Sequence, residues 1–116
     1  MEAGLKGAKE AGGLTVGILP NDDRTQMSEY VDVPIITNMR SGRNAINALS
    51  SDVMVACGMD LGTSSEVSIA LKAGKPVILV GVSIETASFY AQFASKNLQF
   101  VKDWRAANEC LKALRM

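Results

Sequence analysis

Short apolar runs alternate along this chain with segments of helical periodicity. The apolar runs lie at residues 14–19, 53–57, 76–80 and 98–101. Continuous runs of this length are typical of strands that are covered on both faces, as in parallel sheets. A further extended piece is expected at 31–37, although Pro34 has no backbone donor and argues against a central strand there.

Five segments of helical spacing separate or flank these runs. The first covers residues 1–11 and stops at Gly12-Gly13, while Ser41, Ser83 and Asp103 are expected caps of later helices. Thr63 is expected to begin the helix after the second run. The inward faces are predicted to include Met1, Leu5, Ala8, Ala45, Ile46, Leu49, Val67, Ala70, Leu71, Ala87, Tyr90, Ala91, Ala94, Trp104, Ala107, Leu111 and Leu114. The aromatic residues near Ser83 are predicted to pack in the core: Phe89, Tyr90 and Phe93.

The order of these elements predicts the fold class. Helix and strand alternate four times and a last helix follows, which requires right-handed crossovers and a parallel sheet. We therefore predict an α/β fold, a doubly wound parallel sheet with helices on both faces, in a single domain over residues 1–116. Ligands of such sheets bind beyond the carboxyl ends of the strands, so the loops at 20–30, 58–62 and 81–83 are candidate sites.

The composition excludes several kinds of chemistry. The chain has no histidine, which removes histidine-dependent catalysis and His-ligated zinc, and we expect no metal site. Its 12 acidic residues balance its 12 basic residues, so binding to nucleic acid is not expected. Cys57 and Cys110 have apolar neighbours and are predicted to be buried, reduced thiols in a cytoplasmic protein. No apolar run approaches the roughly 18 residues that cross a membrane.

The passage from the second strand into its helix is the most informative segment. Gly58 and Gly62 bound a tight turn, and Thr63 and Ser64 follow at the helix start. Exposed amides at a helix N-terminus, together with the helix dipole, favour an anion such as phosphate. The alternative is a plain connection, because Thr63 and Glu66 have the spacing of a capping box. Asp60 argues against phosphate, because its carboxylate repels an anion.

Two other groups of charged residues are candidates for function. Arg43, in the first turn of the helix before the second strand, either leans toward the neighbouring loops or is simply solvated. Asp22, Asp23 and Glu29 lie in the loop after the first strand. They either bind a cation or face solvent.

Two blocks of the sequence resemble a known superfamily. They are MEAGLKGAKEAGGLTVGILP and NMRSGRNAINALSSDVMVACGMDLGTSSEVSIALKAGKPVILVG. They resemble the Rossmann-like superfamily of the LONELY GUY-type phosphoribohydrolases (lysine-decarboxylase-like, SLOG), and within it most of all the molybdenum cofactor carrier proteins. The likeness implies a Rossmann-like fold for this chain.

The hydrolases have a Gly-Gly-x-Gly-Thr-x-x-Glu signature that holds the nucleotide phosphate. Gly62, Thr63 and Glu66 match the end of this signature, and Arg43 occupies the position of the arginine that the hydrolases use. The resemblance therefore implies that Arg43 and Glu66 would be the catalytic pair if this chain hydrolysed an N-glycosidic bond.

Three departures from the signature argue against hydrolysis. Met59 and Asp60 stand where the hydrolases have glycines, and Ser65 replaces the first of their paired glutamates. A Gly-Met-x-x-Gly-Thr-x-x-Glu arrangement is instead similar to the carrier proteins, which implies binding of a phosphorylated pterin without turnover. Fewer glycines also leave fewer amides able to close around a phosphate.

A further departure concerns the first residues. Relatives begin with a β-α-β unit that ends in a Gly-rich turn just before the methionine that matches Met1. We expect either that the native protein is longer or that this form repairs its sheet by altered pairing or association. A bare sheet edge is a ready site for a second chain, so a homo-oligomer is predicted.

Three functions follow, in this order. The first is a non-catalytic binding or carrier protein for a small phosphorylated ligand, with the molybdenum cofactor as possible cargo or a nucleotide in its place. Its predicted ligand contacts are Gly58, Met59, Gly62, Thr63, Ser64, Arg43 and Glu66. The second is a nucleoside 5′-monophosphate phosphoribohydrolase. The third is a truncated structural relative that self-associates without ligand.

Overall fold

Helices and parallel strands alternate along the computed structural model, which describes residues 2–93 and 96–114. Met1 and Ala94, which the sequence places on helix faces, lie outside these ranges. The elements in chain order are α1 (Glu2–Glu10), β1 (Val16–Leu19), β2 (Val33–Ile36), α2 (Arg43–Ser50), β3 (Met54–Cys57), α3 (Leu61–Lys72), β4 (Val77–Val80), α4 (Ile84–Ala91), β5 (Leu98–Val101) and α5 (Trp104–Leu114). The predicted α/β class is confirmed.

The chain divides into two compact units, residues 1–46 and 47–116. The parallel strands form a two-stranded sheet, β1-β2, in the first unit and a three-stranded sheet, β3-β4-β5, in the second. Within the described ranges, no helix is both long and apolar enough to cross a membrane.

The sheet of the first unit includes the strand that contains Pro34. β1 and β2 run parallel, with Val16 opposite Val33 and Gly17 opposite Pro34. Proline lacks one ladder donor and is tolerated at the edge of a sheet. Each strand of a two-stranded sheet is an edge strand, so the extended piece expected near Pro34 is a true strand.

A polar cluster fixes the start of both strands in the first unit. The backbone amide of buried Thr15 donates to the Asp32 carboxylate at 3.0 Å, and the Asp32 amide donates to the Thr15 hydroxyl at 2.8 Å. Lys9 donates to the same carboxylate and forms an ion pair with it. The hydrogen bond from Lys9, followed by the one from the Thr15 amide, lowers the pKa of Asp32 below its usual value.

The core of the second unit forms around its central strand. β4 pairs in parallel with β3 on one side and β5 on the other, with Val77 opposite both Met54 and Leu98. Val77, Ile78 and Leu79 are almost completely buried. The buried core comprises Ala48, Met54, Ala56, Val67, Ala70, Val77, Leu79, Tyr90 and Leu98.

Strand β3 is covered on one face only, so the prediction that this strand is covered on both faces is wrong. Met54 and Ala56 are buried, whereas Val55 and Cys57 are exposed. Successive side chains of a strand point to opposite faces, so this alternation means that one face of β3 lies against the core. The prediction that both cysteines are buried is also wrong, because Cys57 is exposed and Cys110 is only half-buried. Both cysteines are free.

The helices bury narrower stripes than the sequence predicts. Tyr90 is buried, but Phe89 and Phe93 are about half exposed, so the prediction of a shared aromatic core is wrong for those two. Phe89 is adjacent to Tyr90 on α4 and therefore points to a different side of the helix, and Phe93 follows the end of α4. Other predicted inward residues that are exposed are Leu49, Trp104, Ala91 and Leu114.

Truncating a core residue of β4 should destabilise the second unit. Leu79→Ala should cost about 2–5 kcal/mol in the free energy of unfolding, because it leaves a cavity in a fully buried site. The matched control is Leu61→Ala, since Leu61 is 91% exposed and its truncation should change stability by less than about 0.5 kcal/mol. Urea denaturation followed by circular dichroism measures both values. Equal losses in the two variants would contradict this assignment of the core.

Candidate functional site

A glycine with a left-handed backbone ends β3. Gly58 has φ +86°, a conformation that side chains rarely adopt, so the turn requires glycine at this position. The chain then passes through Met59 to Asp60, from which α3 starts. The tight glycine turn that the sequence predicts after the second apolar run is confirmed.

Asp60, and not Thr63, caps α3. Oδ1 of Asp60 accepts a hydrogen bond from the backbone amide of Thr63 at 2.7 Å, and its backbone carbonyl accepts from the Ser64 amide at 2.8 Å. The helix begins at Leu61, so Thr63 is its third residue. The prediction that Thr63 starts the helix is wrong, and so is the capping box that it would form with Glu66.

The cap places a negative charge where the sequence suggests an anion site. The hydrogen bond from the Thr63 amide, more than any other interaction, lowers the pKa of Asp60 below its usual value. The carboxylate is therefore ionised at neutral pH and already takes one of the amides expected to hold a phosphate. A phosphate at this turn would have to displace Asp60 or lie beside its charge.

A cavity of about 400 Å³ opens in the second unit where α3 and α4 begin. We refer to it as the α3–α4 cavity. Ser83 caps α4 by accepting from the Thr86 amide at 3.2 Å. The hydroxyls of Ser64 and buried Tyr90 share a 2.6 Å hydrogen bond. The lining residues are Met59, Asp60, Leu61, Ser64, Glu85, Thr86, Phe89 and Tyr90.

The structure brings only part of the predicted site to this cavity. Met59 and Ser64 line it, whereas Gly62, Thr63 and half-buried Glu66 belong to α3 without lining it. Sequence reasoning missed four lining residues, Glu85, Thr86, Phe89 and Tyr90. The signal that pointed toward them was the predicted loop at 81–83, which directly precedes α4.

The first unit has its own cavity, of about 410 Å³, which we call the β1 cavity. It is lined by Glu2, Leu5, Gly17, Ile18, Leu19, Pro20, Gln26, Met27, Ser28, Val31 and Arg43. These residues include the carboxyl end of β1 and part of the predicted loop at 20–30, as expected for a parallel sheet. A Cβ on Gly17 would lie 2.8 Å from a methyl carbon of Val31, so this wall requires glycine.

The guanidinium of Arg43 is held at the wall of the β1 cavity. Its Nη1 donates to the backbone carbonyl of Ile18, the third residue of β1, at 3.0 Å. Arginine has five N–H donors in a planar fork, so this anchor uses only a small part of its capacity. Of the predicted ligand contacts, Arg43 belongs to the first unit and the others to the second.

The acidic side chains of the loop after β1 face solvent. The carboxylate of Asp23 accepts hydrogen bonds from the amide and the hydroxyl of Thr25, and those bonds lower its pKa below the usual value. Asp22, Asp23 and Glu29 are exposed. Over residues 2–93 and 96–114, no three or more Cys, Asp or Glu side chains are grouped so that they could hold a metal ion.

The alternating helices and parallel strands, with cavities near the strand ends, define an α/β protein of the Rossmann-like type. Residues 1–109 match the family model described as the SLOG cluster4 family, and the chain belongs to that family. An uncharacterized protein of Archaeoglobus fulgidus is 42% identical over 91 residues, which cover 72% of this chain. The alignment spans 60% of the length of that relative.

Solved structures of molybdenum cofactor proteins are similar to this chain. The molybdenum cofactor binding protein of the phototrophic bacterium Rippkaea orientalis is 41% identical with a TM-score of 0.94, covering 98% of this chain and 70% of its own. A molybdenum cofactor carrier protein of Chlamydomonas reinhardtii is 45% identical, with a TM-score of 0.89 over 98% of this chain and 69% of its own. The likeness inferred from the sequence is confirmed.

Removing the cap of α3 should destabilise the second unit. Asp60→Ala leaves the Thr63 amide without its acceptor, so the free energy of unfolding should fall at neutral pH. Asp60→Asn should be close to wild type, because asparagine caps a helix about as well as aspartate. Urea denaturation at about pH 7 compares the three proteins. An Asp60→Ala variant as stable as wild type would contradict the role of Asp60 as the cap.

The same cap should be sensitive to acid. Because folding lowers the pKa of Asp60 below 3.8, its charged form stabilises the folded state fully above that pH. The contribution is lost as the pH falls through the lowered pKa. The stability gap between wild type and Asp60→Ala should therefore narrow as the pH is taken below about 3.8.

Proposed function

We propose that this chain binds and carries the molybdenum cofactor, a phosphorylated pterin, without chemically converting it. The proposal is supported by the similarity to structures that are described as binding or carrying this cofactor, at 41–45% identity. A carrier has to bind its cargo by groups that are already in position and does not need a catalytic pair. The cofactor is therefore cargo in this proposal and not a resident prosthetic group.

The observation on which the proposal chiefly rests is the position of Arg43. Its guanidinium lines the β1 cavity and is held there by the carbonyl of Ile18. A planar guanidinium suits the oxygens of a phosphate, with which it forms paired, charge-assisted hydrogen bonds. Anchoring one N–H in advance reduces the side-chain entropy that binding would otherwise cost.

The cap of α3 supports carriage over hydrolysis. In the hydrolase reading, the turn before Thr63 would hold the nucleotide phosphate and Glu66 would act at the glycosidic bond. Here the Thr63 amide is bonded to the Asp60 carboxylate. The ligand contacts predicted from the sequence remain part of the proposal, with Arg43 the best supported: Gly58, Met59, Gly62, Thr63, Ser64, Arg43 and Glu66.

A cytoplasmic location belongs to the same proposal. Cys57 and Cys110 are both free, and Cys57 is exposed. Free thiols are typical of a compartment in which glutathione and thioredoxin keep cysteines reduced.

Cofactor retention tests the proposal. The purified protein is incubated anaerobically with molybdenum cofactor and passed through a desalting column, and protein-bound molybdenum is measured by mass spectrometry. Wild type should retain molybdenum, and Arg43→Ala should bind about tenfold to a hundredfold more weakly, because a charge-assisted hydrogen bond contributes about 1.5–3 kcal/mol. Arg24→Ala is the control, since Arg24 is an exposed arginine of the same unit outside the lining of the β1 cavity.

Two outcomes would contradict the proposal. Retention of no molybdenum by wild type would remove the carrier function. Release of adenine from AMP, abolished by Glu66→Ala, would show that the chain is a hydrolase instead.

Self-association is a further part of the proposal. The strands of the first unit expose Val16, Val33 and Ile35. Apolar side chains on edge strands are typical of surfaces that pair with another chain. Size-exclusion chromatography with light scattering should therefore give a mass of at least two chains, and Ile35→Lys should lower it. A monomeric wild type would contradict this part alone.

A further inference from the structure

The α3–α4 cavity has two carboxylates among its lining residues. Asp60 and Glu85 both line it, and both are exposed to solvent. The Asp60 carboxylate interacts with the amide and hydroxyl of Thr63 and, more weakly, with the Gly62 amide, and its solvent-exposed side can also accept from a ligand. Neither arginine nor lysine is among the residues that line this cavity. Its charge therefore disfavours phosphate and favours a ligand surface rich in N–H donors.

The hydroxyls of Ser64 and Tyr90 give the α3–α4 cavity a hydrogen-bond donor. Ser64 and Tyr90 share one hydrogen bond of 2.6 Å, in which one of the two hydroxyls donates and the other accepts. The accepting hydroxyl keeps its own hydrogen and can donate it to a further acceptor. Tyr90 is only 3% exposed, so burial holds this pair in place. The pair is thus a fixed group that can donate to a carbonyl oxygen.

Flat apolar surfaces complete the lining. Phe89, which is about half exposed, packs edge to face on buried Tyr90 with ring centroids 5.1 Å apart, and Met59 lies on the same lining as Phe89. Aromatic rings and a methionine thioether both make favourable contacts with planar heterocycles. The cavity volume of about 400 Å³ is within the range typical of small-molecule sites.

We propose that the α3–α4 cavity binds the edge of a fused heterocycle in which a carbonyl, a ring N–H and an amino group are adjacent, as in pterin and guanine. The carboxylates of Asp60 and Glu85 accept from the ring N–H and the amino group. The Ser64–Tyr90 pair donates to the carbonyl. This assignment rests on the proposed carrier function and concerns the ring of the ligand, whereas the sequence pattern suggested its phosphate.

Three nucleotides with the same ribose and phosphate test the assignment. GMP has all three edge groups, IMP lacks the amino group, and AMP lacks the carbonyl and the ring N–H. Isothermal titration calorimetry with the full chain should give the order GMP, IMP, AMP from tightest to weakest, with GMP and AMP separated by about tenfold or more. AMP lacks the N–H groups that would pair with the two carboxylates and the carbonyl that would accept from the hydroxyl pair, so it leaves those groups without a ligand partner.

The decisive variant keeps the fold and removes the charge. Asp60→Asn preserves a cap of α3, so circular dichroism should be unchanged, but it replaces a carboxylate oxygen with an amide donor. The ratio of AMP to GMP dissociation constants should then fall toward one. Asp103→Asn is the matched control, because the Asp103 carboxylate accepts from the Ala106 amide at 3.0 Å just before α5 and does not line the cavity. That variant should keep the wild-type ratio.

The outcomes separate this assignment from the carrier function. Equal affinities for GMP and AMP, no binding of GMP at millimolar concentration, or an unchanged ratio in Asp60→Asn would overturn the assignment, while retention of molybdenum would be unaffected. A GMP preference that depends on Asp60, in a protein that retains no molybdenum, would support the assignment and overturn the carrier function.

Discussion

The hydrogen bond between the Asp60 carboxylate and the Thr63 amide determines much of the local structure in the second unit. It marks the start of α3 at Leu61, and Ser64 in the first turn of this helix shares a hydrogen bond with Tyr90. It also satisfies one of the amides that a helix start leaves without a partner. Because the acceptor is an ionised side chain of the protein, the same interaction places a negative charge beside the start of this helix.

The sequence predicted the order of elements well and the extent of their burial less well. The apolar runs between helical segments located β1, β3, β4 and β5, because a short continuous apolar run is typical of a buried strand. The face that each strand buries depends on which helices cover it, and the residues of the strand alone do not carry that information. Met54 and Cys57 belong to the same apolar run, yet the first is buried and the second is exposed.

In the candidate site, too, the sequence did not determine which single residues form the helix cap and the cavity. The spacing of Thr63 and Glu66 predicted a capping box, whereas the cap in the structure is Asp60, three positions before Thr63. Aspartate is the better cap, which is the physical reason that Asp60 prevailed. Glu85 could not be predicted, because its proximity to Asp60 in one cavity arises only when α3 and α4 pack in the folded unit.

The three-stranded sheet also bears on how the chain reaches its native state. Every ladder in it is parallel, and Val77 pairs with Met54 on one side and with Leu98 on the other. Each pairing must close a loop of about twenty residues before it gains a single interstrand hydrogen bond, and that closure costs entropy in advance. Chains with such distant pairings fold more slowly than helical bundles of the same size. During synthesis, the ladder between β4 and β5 can form only after the residues of β5 have been made, so one edge of β4 stays unpaired until then.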